Sequence, residues 1–359
     1  MAFRWIVNAG LIAIPIGSTL GVLFGIDASR HAAGQAPLFS PPDDGTGSGG
    51  SGSGSGSGGS GGSGGGNIPP DSTGGGHGGS HSNDTELGVT VSTYCSLTYG
   101  ILPPAKGGLN YSLNPNQWGV LAQDGPDAPS GLCMNVTTFN NQTYPTKTSA
   151  PEWTVTWKYD MGPETQPVHA YPNIQVLDGL PVTLSDVKAV NFDMAWIYNL
   201  GNETKPTSDT PEFDSISLNT NVAIDMFFDG NETNASNSSL AAYEIMVWFA
   251  HYGNAAQAIG NSSGIVERKI INQTEFDLYH GSHIIDGKTQ NVFTWVASEN
   301  IESFYGDISP LITELTSKTG TEYPKESDYM GSFGFGTEAY SANQFVTFHV
   351  PRLEVNIQT

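Results

Sequence analysis

Three acids of this chain sit inside apolar, strand-like runs, where a carboxylate needs either a hidden partner or a cleft to face. Glu244 lies in Tyr243-Glu244-Ile245-Met246-Val247-Trp248. Side chains alternate along a strand, so Glu244, Met246 and Trp248 share one face while Tyr243, Ile245 and Val247 share the other and read as core. Glu338 lies in Gly334-Phe335-Gly336-Thr337-Glu338-Ala339-Tyr340. There Gly334 and Gly336 alternate with Phe333 and Phe335, and small residues on one face would leave room for a ligand against the backbone. Asp225 lies in Asn221-Val222-Ala223-Ile224-Asp225-Met226-Phe227-Phe228, before the turn Asp229-Gly230. Two carboxylates on cleft-facing strands, with aromatics around them, are what glycoside hydrolysis requires. Asp225 would then be a neighbour that hydrogen-bonds one of the pair and helps set its pKa. The plainer reading makes each Glu an exposed strand residue and Asp225 a strand-end acid.

The elements that must position these acids follow from patterning. Val89 to Leu97, Cys133 to Phe139, Trp153 to Tyr159, Val190 to Tyr198, Ser215 to Phe228 and Tyr243 to His251 read as strands. So do Ile265 to Ile271, Glu275 to His280, Asn291 to Ser298, Ser332 to Tyr340 and Phe345 to Ile357. Many short strands with turn signals between them predict an all-β sandwich or jelly roll. Ile308, Leu311, Ile312 and Leu315 have helical spacing, with Ser309 as the expected cap, Pro310 at the first helical position and Gly320 past the end. This single short helix is expected on the convex side, without a catalytic role.

Of the 359 residues, not all can pack. Gly47 to Gly66 is Gly and Ser throughout, and residues 29–86 as a whole predict a disordered linker with too little apolar surface to offset the entropy of ordering it. Before it, Trp5 to Ile26 carries no charge and is long enough to span a bilayer as a helix, so residues 1–28 read as a signal anchor or a cleaved signal peptide. Residues 87–359 are then one exported domain, either membrane-anchored or secreted. Asn-x-Ser/Thr sequons agree with export, and those at Asn231, Asn234 and Asn237 imply an exposed loop if used. The two cysteines, Cys95 and Cys133, suggest one disulfide in an exported chain; two buried thiols are the alternative. A net charge of −22 argues against a nucleic-acid partner, whose phosphates need Lys and Arg. His77 and His81 give no metal-ligand set.

The order of these motifs resembles glycoside hydrolase family 12, the endo-β-1,4-glucanases and xyloglucan-specific endoglucanases. The resemblance runs from about Tyr94 to the C-terminus. The family's nucleophile motif is similar to Tyr243-Glu244-Ile245-Met246-Val247-Trp248, its acid/base motif to Phe335-Gly336-Thr337-Glu338, and its assisting aspartate lies in a segment like Val222 to Phe227. Its N-terminal disulfide is matched by Cys95 and Cys133, and a cleft-lining Asn-x-x-Trp-Gly-like site by Asn116-Gln117-Trp118-Gly119. Trp153 to Trp157 and Tyr171-Pro172-Asn173 fall in the expected order. The chain departs from the family in reading Glu338-Ala339-Tyr340 where Glu-Pro-Phe is usual, and Tyr99 is the nearest match to an aromatic that follows the first cysteine.

The resemblance implies a jelly roll of two antiparallel sheets with an open concave cleft, and an endo-acting, retaining hydrolase of β-1,4-glucan backbones, plain or xylosylated. Glu244, Glu338 and Asp225 are the expected catalytic residues. Asn116, Trp118, Trp153, Met246, Trp248 and Tyr340 are the expected substrate contacts, with the tryptophans stacking on sugar faces. No cofactor or metal is required, and the expected partner is a β-glucan polysaccharide met by a monomer. A non-catalytic cell-surface carbohydrate-binding protein on the same fold is the alternative.

Overall fold

The computed structural model describes residues 81–84, 88–95, 100–101, 109–117, 131–141, 143–163, 166–285 and 287–359. The apolar segment Trp5 to Ile26, nearly all of the expected linker, and Trp118 lie outside the described residues. Within them, no helix is long and apolar enough to cross a membrane.

In chain order the strands are β1 (His81–Asp84), β2 (Val89–Cys95), β3 (Tyr111–Asn114), β4 (Gly131–Phe139), β5 (Glu152–Lys158), β6 (Asn173–Val176), β7 (Val182–Thr183), β8 (Ala189–Leu200) and β9 (Asn219–Asp229). Helix α1 (Glu232–Ala235) separates these from β10 (Tyr243–Tyr252), β11 (Glu267–Ile271), β12 (Thr274–Ile285), β13 (Lys288–Ala297) and β14 (Ser303–Asp307). Helix α2 (Ser309–Thr316) precedes β15 (Tyr329–Gly336), β16 (Ala339–Ser341) and β17 (Val346–Gln358). A seven-stranded sheet runs β1-β2-β4-β5-β17-β8-β14. A ten-stranded sheet runs β11-β12-β13-β10-β9-β15-β6-β3, with β16 joined to β9 and β7 to β15. The architecture is the expected all-β sandwich, with one parallel pair in it. β13 runs parallel to β10 because the chain leaves β10, makes the β11–β12 hairpin, and re-enters between β12 and β10. Strand β1 also begins the first sheet inside the stretch expected as linker.

Alternation decides what fills the space between the sheets. Tyr243, Ile245 and Val247 of β10 are buried there with Ile224, Met226 and Phe228 of β9. Phe192 of β8 stacks on Phe249 of β10 at 5.4 Å and meets Phe335 of β15 edge-on at 5.3 Å, so one side chain bridges the two sheets. Each such buried side chain stabilises by roughly 1.5–3 kcal/mol. Trp153 belongs to this layer. It is 1% exposed and packs edge-on against Phe348 of β17 at 5.4 Å. The expectation that Trp153 contacts substrate is therefore corrected: its face of β5 points into the core, and no ring face is left for a sugar.

Helix α2 buries Leu311, Ile312 and Leu315 in the same core. Its polar side ties to β11, where Glu314 and Lys318 pair with Lys269 and Glu267. The N-cap position is Ile308, not Ser309, and it makes no side-chain cap; just before it, the Asp307 carboxylate accepts from the backbone N–H and the hydroxyl of Ser309, each at 2.9 Å. Cys95 and Cys133 sit directly opposite each other in the β2–β4 pair and are disulfide-bonded. Closing that 38-residue separation stabilises by about 4 kcal/mol in the chain-entropy account.

Candidate active site

The site lies on the face of the ten-stranded sheet that turns away from the core. Register places its members. Glu244 pairs with Phe227, Met246 with Asp225, and Trp248 with Ala223 across β10 and β9. Gly334 of β15 lies opposite Asp225, and Gly336 opposite Ala223. On the other flank, Val292 and Thr294 of β13 lie beside Glu244 and Met246, and His283 of β12 pairs with Gln290. Along the strand axis the order is thus His283 with Gln290, then Glu244, then Asp225 with Met246, then Trp248, then Asn221 with Glu338. All three sequence-predicted acids meet on one face. Each is buried: Asp225 and Glu244 are 5% exposed and Glu338 6%.

Glu338 is held most firmly. Asn221 Oδ1 accepts from the backbone N–H of Glu338 at 3.0 Å, which fixes the amide so that Asn221 Nδ2 donates to Glu338 Oε2. Tyr340 donates its hydroxyl to the same oxygen at 3.1 Å. Both donors sit on Oε2, so a proton carried by this carboxyl belongs on Oε1. Behind them Thr220 donates to the Glu338 carbonyl at 2.7 Å, and Tyr198, which accepts from the Trp157 indole at 2.7 Å, lies 3.2 Å from the hydroxyls of Thr220 and Thr337. The chain from core to site is fully bonded, which rigidifies Glu338. Sequence reading missed Asn221. Its signal was an Asn in the same parity class as Asp225 on β9, two strand repeats away.

Burial dominates the acid chemistry. It pushes Glu244 up to about 7. Glu338 also rises to about 7, from burial and then the neighbouring Glu244 charge, against the opposing hydrogen bonds from Asn221 and Tyr340. Asp225 is raised well above the ordinary carboxylate range by burial, then by Glu244 and Glu338; the Met226 N–H opposes this weakly, and Asp225 Oδ1 has no hydrogen-bond partner. The two glutamates rise together, because desolvation acts on both.

This has a consequence for stability. A carboxyl raised from 4.5 to about 7 binds more protons folded than unfolded. Its stabilisation is complete below the unfolded value and is lost as pH climbs through the folded one. The two glutamates together should cost on the order of a few kcal/mol between about pH 4.5 and about pH 8. Thermal unfolding of the Glu244→Gln/Glu338→Gln double variant across that range should show a flatter slope than the unsubstituted protein and a higher midpoint at the alkaline end. An identical slope in both proteins contradicts this assignment.

The small residues of β15 do something other than leave room for a ligand. A Cβ on Gly336 would lie 2.0 Å from the Pro172 carbonyl oxygen. The space is taken by the segment Tyr171-Pro172-Asn173, whose Tyr171 hydroxyl lies within hydrogen-bonding reach of the carbonyls of Ala223 at 3.1 Å and Gly334 at 3.2 Å. Asn116, at φ 44°, accepts from the Tyr171 N–H at 3.1 Å, so it sits beside this segment. Met246 and Trp248 pack with Ala223 and Ala258. Trp248 is 3% exposed and its indole N–H has no partner, so it offers a buried donor where the sequence led us to expect a stacking platform. Tyr340 is likewise buried, packed with Val168 and Ala256 while it bonds Glu338.

Comparison with known proteins agrees with this arrangement. The family model described as "Glycosyl hydrolase family 12" matches residues 109–358. Endoglucanase A of Aspergillus kawachii is 26% identical over 231 residues, 64% of this chain and 81% of the relative. A probable xyloglucan-specific endo-beta-1,4-glucanase A of Aspergillus clavatus is 28% identical over 237 residues, 66% of this chain and 82% of the relative. A relative named inactive glycoside hydrolase XLP1, from Phytophthora nicotianae, is 31% identical over 127 residues, 35% of this chain and 48% of that protein. Among solved structures, the fold matches Trichoderma harzianum endoglucanase 3 from family GH12 with a TM-score of 0.56 at 23% identity, covering 77% of this chain and all of that one. It also matches the family 12 xyloglucanase of Bacillus licheniformis with a TM-score of 0.52 at 19% identity, over 74% of this chain and all of that one. With the family model covering the whole ten-stranded sheet, five strands of the other and all three buried acids, the chain belongs to glycosyl hydrolase family 12.

Proposed function

We propose that this protein is an endo-acting, retaining glycoside hydrolase of β-1,4-glucan backbones. The observation that carries the reading is the pair Glu244 and Glu338, buried on one sheet face with both carboxyls raised to about 7. Glu244 is the nucleophile. Glu338 is the general acid/base, with Oε2 occupied by Asn221 and Tyr340 and Oε1 free to carry the proton to the leaving oxygen. Asp225, whose carboxyl burial raises well above the ordinary carboxylate range, is the group that would donate a proton in a hydrogen bond to Glu244 and so stabilise its ionised form. In the first step Glu244 attacks the anomeric carbon, the glycosidic bond breaks, and its oxygen takes the Glu338 proton. In the second, water attacks the glycosyl-enzyme, with Glu338 taking the water's proton. The Trp248 indole N–H, buried and unpartnered, supplies a donor to a sugar hydroxyl.

The relatives named as endoglucanase and xyloglucan-specific endoglucanase support a glucan substrate. The disulfide supports an oxidising, extracellular setting. Attachment through Trp5 to Ile26 and action as a monomer belong to the same proposal. The inactive relative favours a second reading, a non-catalytic glucan-binding protein; the presence of both Glu244 and Glu338 argues against it. Reducing-sugar release from xyloglucan, mixed-linkage β-glucan and carboxymethylcellulose separates the two. Release from any of them supports the hydrolase. Binding without release from all three supports the second reading.

A further inference from the structure

Where the family pattern reads Glu-Pro-Phe, this chain reads Glu338-Ala339-Tyr340, which adds a backbone N–H at the second position and a hydroxyl at the third. Both added donors are used. The Ala339 N–H donates to the Ala170 carbonyl at 2.8 Å, a bond that proline cannot make, and the His169 N–H donates to the Ala339 carbonyl at 2.9 Å. On the other edge, Ala339 pairs with Thr220 and Ser341 with Asn219 of β9. Strand β16 is thus fastened from both sides. Ala339 faces the core, so alternation sends Glu338 and Tyr340 together to the opposite face.

The Tyr340 ring is buried against Val168 and Ala256. A phenol buried this far needs a partner for its hydroxyl. Its partner is Glu338 Oε2 at 3.1 Å, the oxygen that Asn221 Nδ2 also reaches. The phenol keeps its hydrogen, because burial and then the Glu338 and Glu244 charges push it well above the ordinary tyrosine range. The titratable groups facing Glu338 come from several elements. Glu244 on β10 and Asp225 on β9 are acids raised by burial, and Tyr171, just before β6, is a phenol raised by burial and by the same acids. None of these is a donor to Glu338. The hydrogen bonds that hold its carboxyl come from Asn221 and Tyr340.

We propose that Tyr340 is a positioning residue for the candidate acid/base: its hydroxyl, held by the buried ring and the fastened β16 backbone, fixes the Glu338 carboxyl and favours its ionised form. The inference rests on the reading of Glu338 as acid/base. A neutral donor aimed at a carboxylate lowers its pKa, and in a buried site the effect is large. Tyr340 therefore lets Glu338 act as a base at lower pH in the second step, while reducing its protonated fraction at higher pH in the first. Removing the hydroxyl should move two limits upward. One is the alkaline limb of kcat/KM, where the free enzyme loses its acid. The other is the acid limb of deglycosylation, where the glycosyl-enzyme protonates its base.

The test is Tyr340→Phe, which keeps the ring that the family pattern carries here and removes only the hydroxyl. The pH dependence of kcat/KM is measured on xyloglucan, mixed-linkage β-glucan and carboxymethylcellulose, whose leaving sugars need a proton. Deglycosylation is followed as kcat on 2,4-dinitrophenyl β-cellobioside, whose leaving group needs none. In the glycosyl-enzyme Glu244 is esterified, so this second limb reports Glu338 without the Glu244 charge. We expect each limb in Tyr340→Phe to lie about one pH unit above that of the unsubstituted protein, with deglycosylation below its limb slowed about tenfold. A merely structural role would lower the thermal midpoint and leave both limbs in place. Limbs unmoved or moved downward in the folded variant overturn the role of Tyr340 alone. Failure of the unsubstituted protein to cleave any of the glucans, or equal slowing of good and poor leaving groups in Glu338→Ala, overturns the reading on which it rests.

Discussion

Replacing Glu244 with glutamine should abolish hydrolysis of every β-glucan the protein accepts. Glutamine keeps the side chain's size in a pocket only 5% open to solvent, so the fold should persist. The amide cannot form the glycosyl-enzyme bond. Losing a covalent nucleophile typically costs about 10⁵-fold or more. The measurement is kcat on xyloglucan and on an aryl cellobioside, with the thermal midpoint as a control. Because the buried charge is gone, the variant should be at least as stable as the unsubstituted protein above about pH 7. Residual turnover within tenfold of normal would remove Glu244 from the mechanism.

Replacing Glu338 with alanine should have the next largest effect, and its size should depend on the leaving group. The carboxyl supplies a proton to the departing oxygen, a contribution typically worth about 10²–10⁴-fold. Polysaccharide hydrolysis, where the leaving sugar is a poor leaving group, should fall by that factor. A dinitrophenyl glycoside should form the glycosyl-enzyme at close to the normal rate, then stall because no base activates water. Azide, which needs no base, should restore turnover and yield the β-azide. Asn221 and Tyr340 would be left facing the vacated space without Oε2, so a modest fall in thermal midpoint is expected as well. Equal slowing of good and poor leaving groups contradicts the acid role.

Much of this site was legible in the sequence because strand periodicity is strict. Once Tyr243 to Trp248 is read as a strand with Ile245 and Val247 inward, Glu244 must face the other way, and the same parity on β9 carries Asp225. What the sequence concealed is which sheet a strand joins. Trp153 obeys alternation like Trp248, but β5 lies in the seven-stranded sheet, so its large side chains turn into the core. Nor does a glycine state its purpose. Gly334 and Gly336 look like room for a ligand, yet Pro172 and Asn173 fill the space at Gly336, and the side chains of Asn173 and Tyr171 border that at Gly334. The approach of His283 to Glu244, 3.7 Å between Nε2 and Oε2, was invisible for a different reason. The two meet only because β13 inserts parallel to β10; they are 39 positions apart in sequence, and no local pattern announces the pairing.

The central claim is that Glu244 and Glu338 work as a nucleophile and acid/base pair, which requires carboxyl groups about 5–5.5 Å apart and a covalent intermediate. Proton NMR of the anomeric signal in the earliest product, recorded before mutarotation, tests this most directly. The mechanism requires the β-anomer first, with α growing in later. A first product of α-configuration would mean that water, not Glu244, attacks the sugar, and would contradict the account.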